Sequence, residues 1–143
     1  HVKPEEVKCV LTIHSPEAFP YQLGWHPCWK KPDSAHFAFG SMFEKDVDHI
    51  VTGRMVTPTG GPWDDCFTDT ITEPTLVIND VAISLTSTAE YWVVYDELTH
   101  ATCVEPQTGP PNAFNLISDN FLDVVQPNQT VRAEFTIRLG PSI

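Results

Sequence analysis

The chain has 143 residues, 41% of them hydrophobic, with 8 Lys and Arg against 19 Asp and Glu and a formal net charge of -11 at pH 7. That is enough chain for one hydrophobic core, and no apolar run is long enough to span a bilayer. So acidic a surface repels phosphates, which argues against a nucleic-acid partner and leaves neutral ligands open.

The sequence opens His1-Val2-Lys3-Pro4, without Met and without a basic and apolar leader, and reads as a cut end. Val7, Cys9, Leu11 and Ile13 alternate with mostly polar residues, the pattern of a half-buried strand. Ser15-Pro16-Glu17-Ala18-Phe19-Pro20 is turn chemistry leading into Tyr21-Gln22-Leu23-Gly24-Trp25-His26-Pro27. Pro27 pushes His26 into extended geometry and so toward a strand end. Short strands are predicted at His36–Phe39 and His49–Thr52, and Thr57-Pro58-Thr59-Gly60-Gly61-Pro62 is a loop. It delivers Trp63-Asp64-Asp65-Cys66-Phe67, so the aspartate pair is expected on or beside that loop. Paired acids on a loop are usually solvated, but a carboxylate beside an indole can take sugar hydroxyls while the aromatic face covers the ring.

Thr75–Ile78 and Val81–Thr86 flank Asn79-Asp80, two residues that tolerate positive φ, and read as a tight hairpin. Tyr91-Trp92-Val93-Val94-Tyr95 is rich in β-branched and aromatic residues and favours a strand. Glu105 is expected where strand gives way to loop, because Pro106, Pro110 and Pro111 resist continuing a ladder. A stiff turn of this kind holds one carboxylate in one place. Thr130–Leu139 alternates without exception and is the clearest strand, and Asn128-Gln129-Thr130, formally a glycosylation sequon, reads as a turn before it. Helical periodicity, repeats and low complexity are lacking, so the class is all-β.

The cysteines, Cys9, Cys28, Cys66 and Cys103, are far apart in a chain without a secretory signal, which predicts reduced thiols in a cytoplasmic compartment. Cys28, Cys66 and Cys103 each fall within two residues of His26, Asp64 or Glu105, an arrangement that invites a metal with His26 as fourth ligand. Paired spacings such as Cys-x-x-Cys are missing, so they read as packing residues and no metal is expected.

Glu105-Pro106-Gln107-Thr108-Gly109-Pro110-Pro111-Asn112-Ala113 resembles the glutamate-proline motif of the aldose 1-epimerase (galactose mutarotase-like) family. Gly24-Trp25-His26-Pro27-Cys28-Trp29 looks like that family's Gly-x-His-Pro-aromatic motif, and Trp63-Asp64-Asp65-Cys66-Phe67 like its aspartate motif, in the family's order. The resemblance implies the C-terminal half of one large antiparallel β-sandwich domain over residues 1–143, with the N-terminal half supplied by the same or another chain. An isolated half would leave an unpaired sheet edge.

It also implies chemistry. Glu105 would be the base and His26 the acid in opening a cyclic monosaccharide, since a carboxylate is ionised near neutrality and an imidazole titrates close to it. Asp64, with Asp65 as the fallback, would hold sugar hydroxyls; Trp63, Trp25 and Phe114 would give aromatic cover, and Gln107 would line the site. Neither cofactor nor metal is needed. Two other readings stand beside it: a mutarotase-like carbohydrate-binding module without turnover, and a hexose-phosphate epimerase, for which the motifs bring few arginines.

Overall fold

The computed structural model describes residues 1–116 and 120–141. Among them are strands β1 (Val2–Lys3), β2 (Glu6–His14), β3 (Phe19–Tyr21), β4 (Cys28–Lys30), β5 (Ser34–Lys45) and β6 (Val51–Val56). Then follow β7 (Asp64–Ile78), β8 (Val81–Ser87), β9 (Tyr91–Tyr95), β10 (Ala101–Gln107), β11 (Asp123–Val125) and β12 (Thr130–Pro141). A single 3₁₀ turn, Ala113–Asn115, interrupts them among the described residues.

One antiparallel sheet runs β1-β2-β12-β8-β7-β9-β10-β4, with β5 on the other edge of β7 and β6 beyond it; β11 and β3 form a separate pair. β7 spans 15 residues and does two jobs. Its first residues pair with β9 and its last with β8, so the sheet curls about it. The core closes between the two arms: Leu76, Ile83, Leu85 and Phe135 meet Trp92 and Val104. Burial of these apolar faces is what drives the curl, since either arm alone would leave its inward side chains in water.

Most of the predicted strands are present. β12 pairs with β2 over Thr130–Arg138 and with β8 over Phe135–Pro141, so every residue of it has a partner strand and its alternation is regular. Asn79 and Asp80 turn β7 into β8 with φ of 49° and 63°, and Asn128 turns at φ 60° ahead of β12. Three expectations about the strands need correction. The strand expected over 49–52 begins at Val51, because His49 sits in a left-handed turn closed by Asp46. The strand predicted over 36–39 is a third of β5, whose polar neighbours are held by pairing along β7 from Ser34↔Val77 to Met42↔Phe67 rather than by their own propensity.

The third correction concerns Glu105, which lies inside β10 and not at its end. Pro106 continues the strand because its backbone faces the short segment before β4, where its carbonyl accepts from Trp25 N at 3.1 Å. A missing donor is tolerated on that edge side, whereas it would break a bond to β9.

Candidate functional site

The register of the strands builds the site. β10 pairs with β9 through Glu105↔Val93 and Cys103↔Tyr95, and with β4 through Cys103↔Cys28. The bridge Gly24↔Gln107 keeps the same register, so His26 stands opposite Glu105. Opposite residues of an antiparallel pair share a face. The result is His26 Nε2 at 3.2 Å from Glu105 Oε1, with the imidazole 70% exposed and the carboxylate 8% exposed. The imidazole stands at the mouth and the carboxylate on the floor.

Around them lies an open pocket of about 520 Å³, lined by Gln22, Trp25, His26, Glu105, Gln107 and Phe114 together with backbone of the two motif loops. The loops are clamped to each other. Thr108 N donates to Leu23 O at 2.8 Å, Leu23 N to Thr108 Oγ1 at 2.9 Å, and Gln22 Nε2 to Gln107 Oε1 and Pro110 O at 3.2 Å each. Close approach demands glycine here: a Cβ on Gly24 would stand 3.1 Å from Pro106 O, and one on Gly109 would stand 2.8 Å from Phe121 O.

Burial raises the pKa of Glu105 above its ordinary 4.5; the His26 charge pulls it down, Asp64 pushes it up again, and a hydrogen bond from Gln107 pulls down. The net rise makes the carboxylate a stronger proton acceptor than a solvated glutamate.

Asp64 lies on the same face of the sheet as Glu105, since β7 pairs with β9 through Asp64↔Tyr95 and Cys66↔Val93. It opens a neighbouring cavity of about 390 Å³ with Asp65, Lys45 and Val51, which meets the first at Pro111. Lys45 Nζ sits 3.6 Å from Asp64 Oδ2 and 3.1 Å from Asp65 Oδ1, and spans both acids. Asp64 thus reaches Glu105 by its charge, from an adjoining cavity.

The aromatic residues separate. Phe114 is half exposed over the pocket, and Trp25 lines it while its ring packs 5.7 Å from that of Phe135. Trp63 is elsewhere. Its ring packs edge-on to Phe37 and Phe67 on the opposite, core face, and its indole N–H donates to Thr59 O at 2.9 Å. Strand alternation explains this: Trp63 adjoins Asp64 in sequence and therefore leaves the sheet on the other side.

Sequence reasoning missed Lys45 and Gln22. Lys45 reaches the acids only through the pairing of β5 with β7, for which the sequence holds no sign. Gln22 was discoverable, since it shares a period of two with Gly24 and His26. The expectation of reduced thiols is also corrected at one pair: Cys28 and Cys103 are joined as a disulfide, while Cys9 and Cys66 are free. Seventy-five residues separate the two, and only the β4–β10 register makes them neighbours.

No protein-family model matches the chain, and no curated protein matches it in sequence. Solved structures do match it in shape. A candidate aldose 1-epimerase of Escherichia coli K12 superposes with a TM-score of 0.78 at 14% identity, over 99% of this chain and 58% of that one. A galactose mutarotase-like protein of Clostridium acetobutylicum gives 0.76 at 16% identity, over 95% and 52%. Another from Lactobacillus casei ATCC 334 gives 0.71 at 12%, over 96% and 60%. The chain has the galactose mutarotase-like fold and spans 52–60% of the length of these structures.

Proposed function

We propose that this chain is the C-terminal part of a single mutarotase-like domain and carries the acid and base of an aldose 1-epimerase acting on a neutral sugar. The observation that supports it is the 3.2 Å approach of His26 Nε2 to Glu105 Oε1 at an open pocket. The C1 hydroxyl and the ring oxygen of an aldose are bonded to the same carbon. An acid and a base a hydrogen bond apart match two oxygens so close together.

Glu105 takes the proton of the C1 hydroxyl as His26 delivers one to the ring oxygen, and the C1–ring oxygen bond breaks. The open aldehyde rotates about C1–C2 and recloses with the proton transfers reversed, giving the other anomer. Asp64 takes a sugar hydroxyl from the adjoining cavity, Gln107 holds the Glu105 carboxylate, and Phe114 covers the ring. Among the described residues no arginine lines either cavity, and Lys45 is spent on Asp64 and Asp65, which favours a neutral sugar over a sugar phosphate. The remaining part of the domain would close the pocket from the other side.

Polarimetry on freshly dissolved α-sugars, using the complete protein, tests the reading. Mutarotation faster than the uncatalysed rate supports it; sugar binding without acceleration would make the chain a non-catalytic carbohydrate-binding module.

A further inference from the structure

We infer that, once the Cys28–Cys103 disulfide is reduced, Cys28, Cys103 and His26 form a three-ligand site for a thiophilic divalent cation such as Zn²⁺, at the edge of the pocket. The three side chains come from two adjacent strands and a residue two positions before one of them, and their donor atoms all lie within 4.8 Å of one another. Cys28 Sγ is 3.8 Å from His26 Nδ1. Zinc–sulfur and zinc–nitrogen bonds of ordinary length at a tetrahedral centre hold their ligand atoms roughly 3.6–3.8 Å apart, so the sulfur and the imidazole already stand at that spacing.

The second observation is how His26 is oriented. Its Nε2 is 3.2 Å from Glu105 Oε1, and in a neutral imidazole that nitrogen donates to the carboxylate, leaving the Nδ1 lone pair on the side of the sulfurs. A carboxylate behind a histidine, with the other nitrogen turned to the metal, is the arrangement that fixes tautomer and ring in metal sites. Cys103 is buried and anchors the site, whereas Cys28 and His26 are exposed and leave a fourth position open toward solvent for water. Cys66, also on this face, is not a ligand: it is packed against Phe43 and Val51, and burial pushes its thiol pKa far up.

The chemistry balances without the pocket's own reaction. An external dithiol reduces the disulfide, giving two electrons and two protons to the sulfurs and becoming a disulfide itself; the cation then displaces both thiol protons as it binds. The oxidised chain has no thiolate to offer. Disulfide and metal site are therefore exclusive states of one pair of strands. Occupation would also withdraw His26 from the role proposed above, a consequence that rests on that reading; the binding itself does not.

The test is titration of the complete protein with Co²⁺ and Zn²⁺, before and after reduction by a dithiol that is then removed. The reduced protein should show thiolate-to-cobalt charge-transfer absorption that saturates at one equivalent and is displaced by Zn²⁺; the oxidised protein should show none. Cys28→Ser, at an exposed position where folding is not at stake, should lower affinity by at least about 100-fold, and His26→Ala by at least about 10-fold. Cys9→Ser should change nothing. Absence of stoichiometric binding after reduction, or unchanged affinity in Cys28→Ser, overturns the site. Unchanged affinity in His26→Ala, with circular dichroism showing the variant folded, overturns the three-ligand assignment. Because these readouts do not involve sugar, a protein that binds the metal but does not mutarotate leaves this inference standing and removes only the enzymatic one.

Discussion

Replacing Glu105 by Gln separates its chemical role from its structural one, because the two predict changes in opposite directions. Gln keeps the shape and can still accept from His26 at 3.2 Å, but it takes no proton. General-base help is worth about 10²- to 10⁴-fold, so the barrier should rise by roughly 3–5 kcal/mol. Stability should move the other way. Burial raises the Glu105 pKa, so the folded state prefers the proton; the stability it contributes is fully present below the ordinary value of 4.5 and is lost as pH rises through the folded-state value. Above the folded-state value the ionised carboxylate therefore burdens the fold, and Gln relieves it. Polarimetry should show mutarotation reduced at least 100-fold in the complete protein, with sugar affinity by calorimetry almost unchanged. Thermal melting at pH 7 should be equal or higher, and should depend less on pH than in the unsubstituted protein. A rate within tenfold of the original, or a melting temperature lower by more than about 4 °C, would refute the reasoning, since the glutamate would then be a structural group.

The other predictions concern its surroundings. Asp64→Asn removes a charge that raises the Glu105 pKa, so the acid limb of the pH profile of kcat/KM, expected above 4.5, should shift toward lower pH; a limb that stays in place would disconnect Asp64 from Glu105. Phe114→Ala should weaken sugar binding by about 1 kcal/mol with little change in melting, because the ring is half exposed over the pocket. Trp63→Ala should do the reverse, losing about 3–5 kcal/mol of stability measured by denaturant unfolding, because its ring packs with Phe37 and Phe67. Gly109→Ala would set a Cβ 2.8 Å from Phe121 O and should cost about 1–3 kcal/mol of stability while loosening the loop that holds Gln107, which melting and polarimetry together would register.

The sequence by itself determined the class and the parts. Alternation in Thr130–Leu139 and in Val7–Ile13 announces strands because each has one face in the core and one in water, a difference that is written residue by residue. The hairpin at Asn79-Asp80 is equally local, since positive φ is a property of the turn residues themselves. Three motifs pointed to Glu105, His26 and the aspartate pair, although the reason Glu105 and His26 share one pocket while the two acids line the next could not be read from any of them. That reason is register. The place of Glu105 within β10, the pairing of Cys103 with Cys28 and the spanning of Asp64 and Asp65 by Lys45 all depend on which strand lies beside which. Such pairing joins residues 75 apart in sequence for the two cysteines, and it is decided by burial of the whole curled sheet rather than by any local preference. Trp63 marks the boundary between the two kinds of information: residue order placed it beside a carboxylate, and the extended backbone entering β7 turned the two to opposite faces.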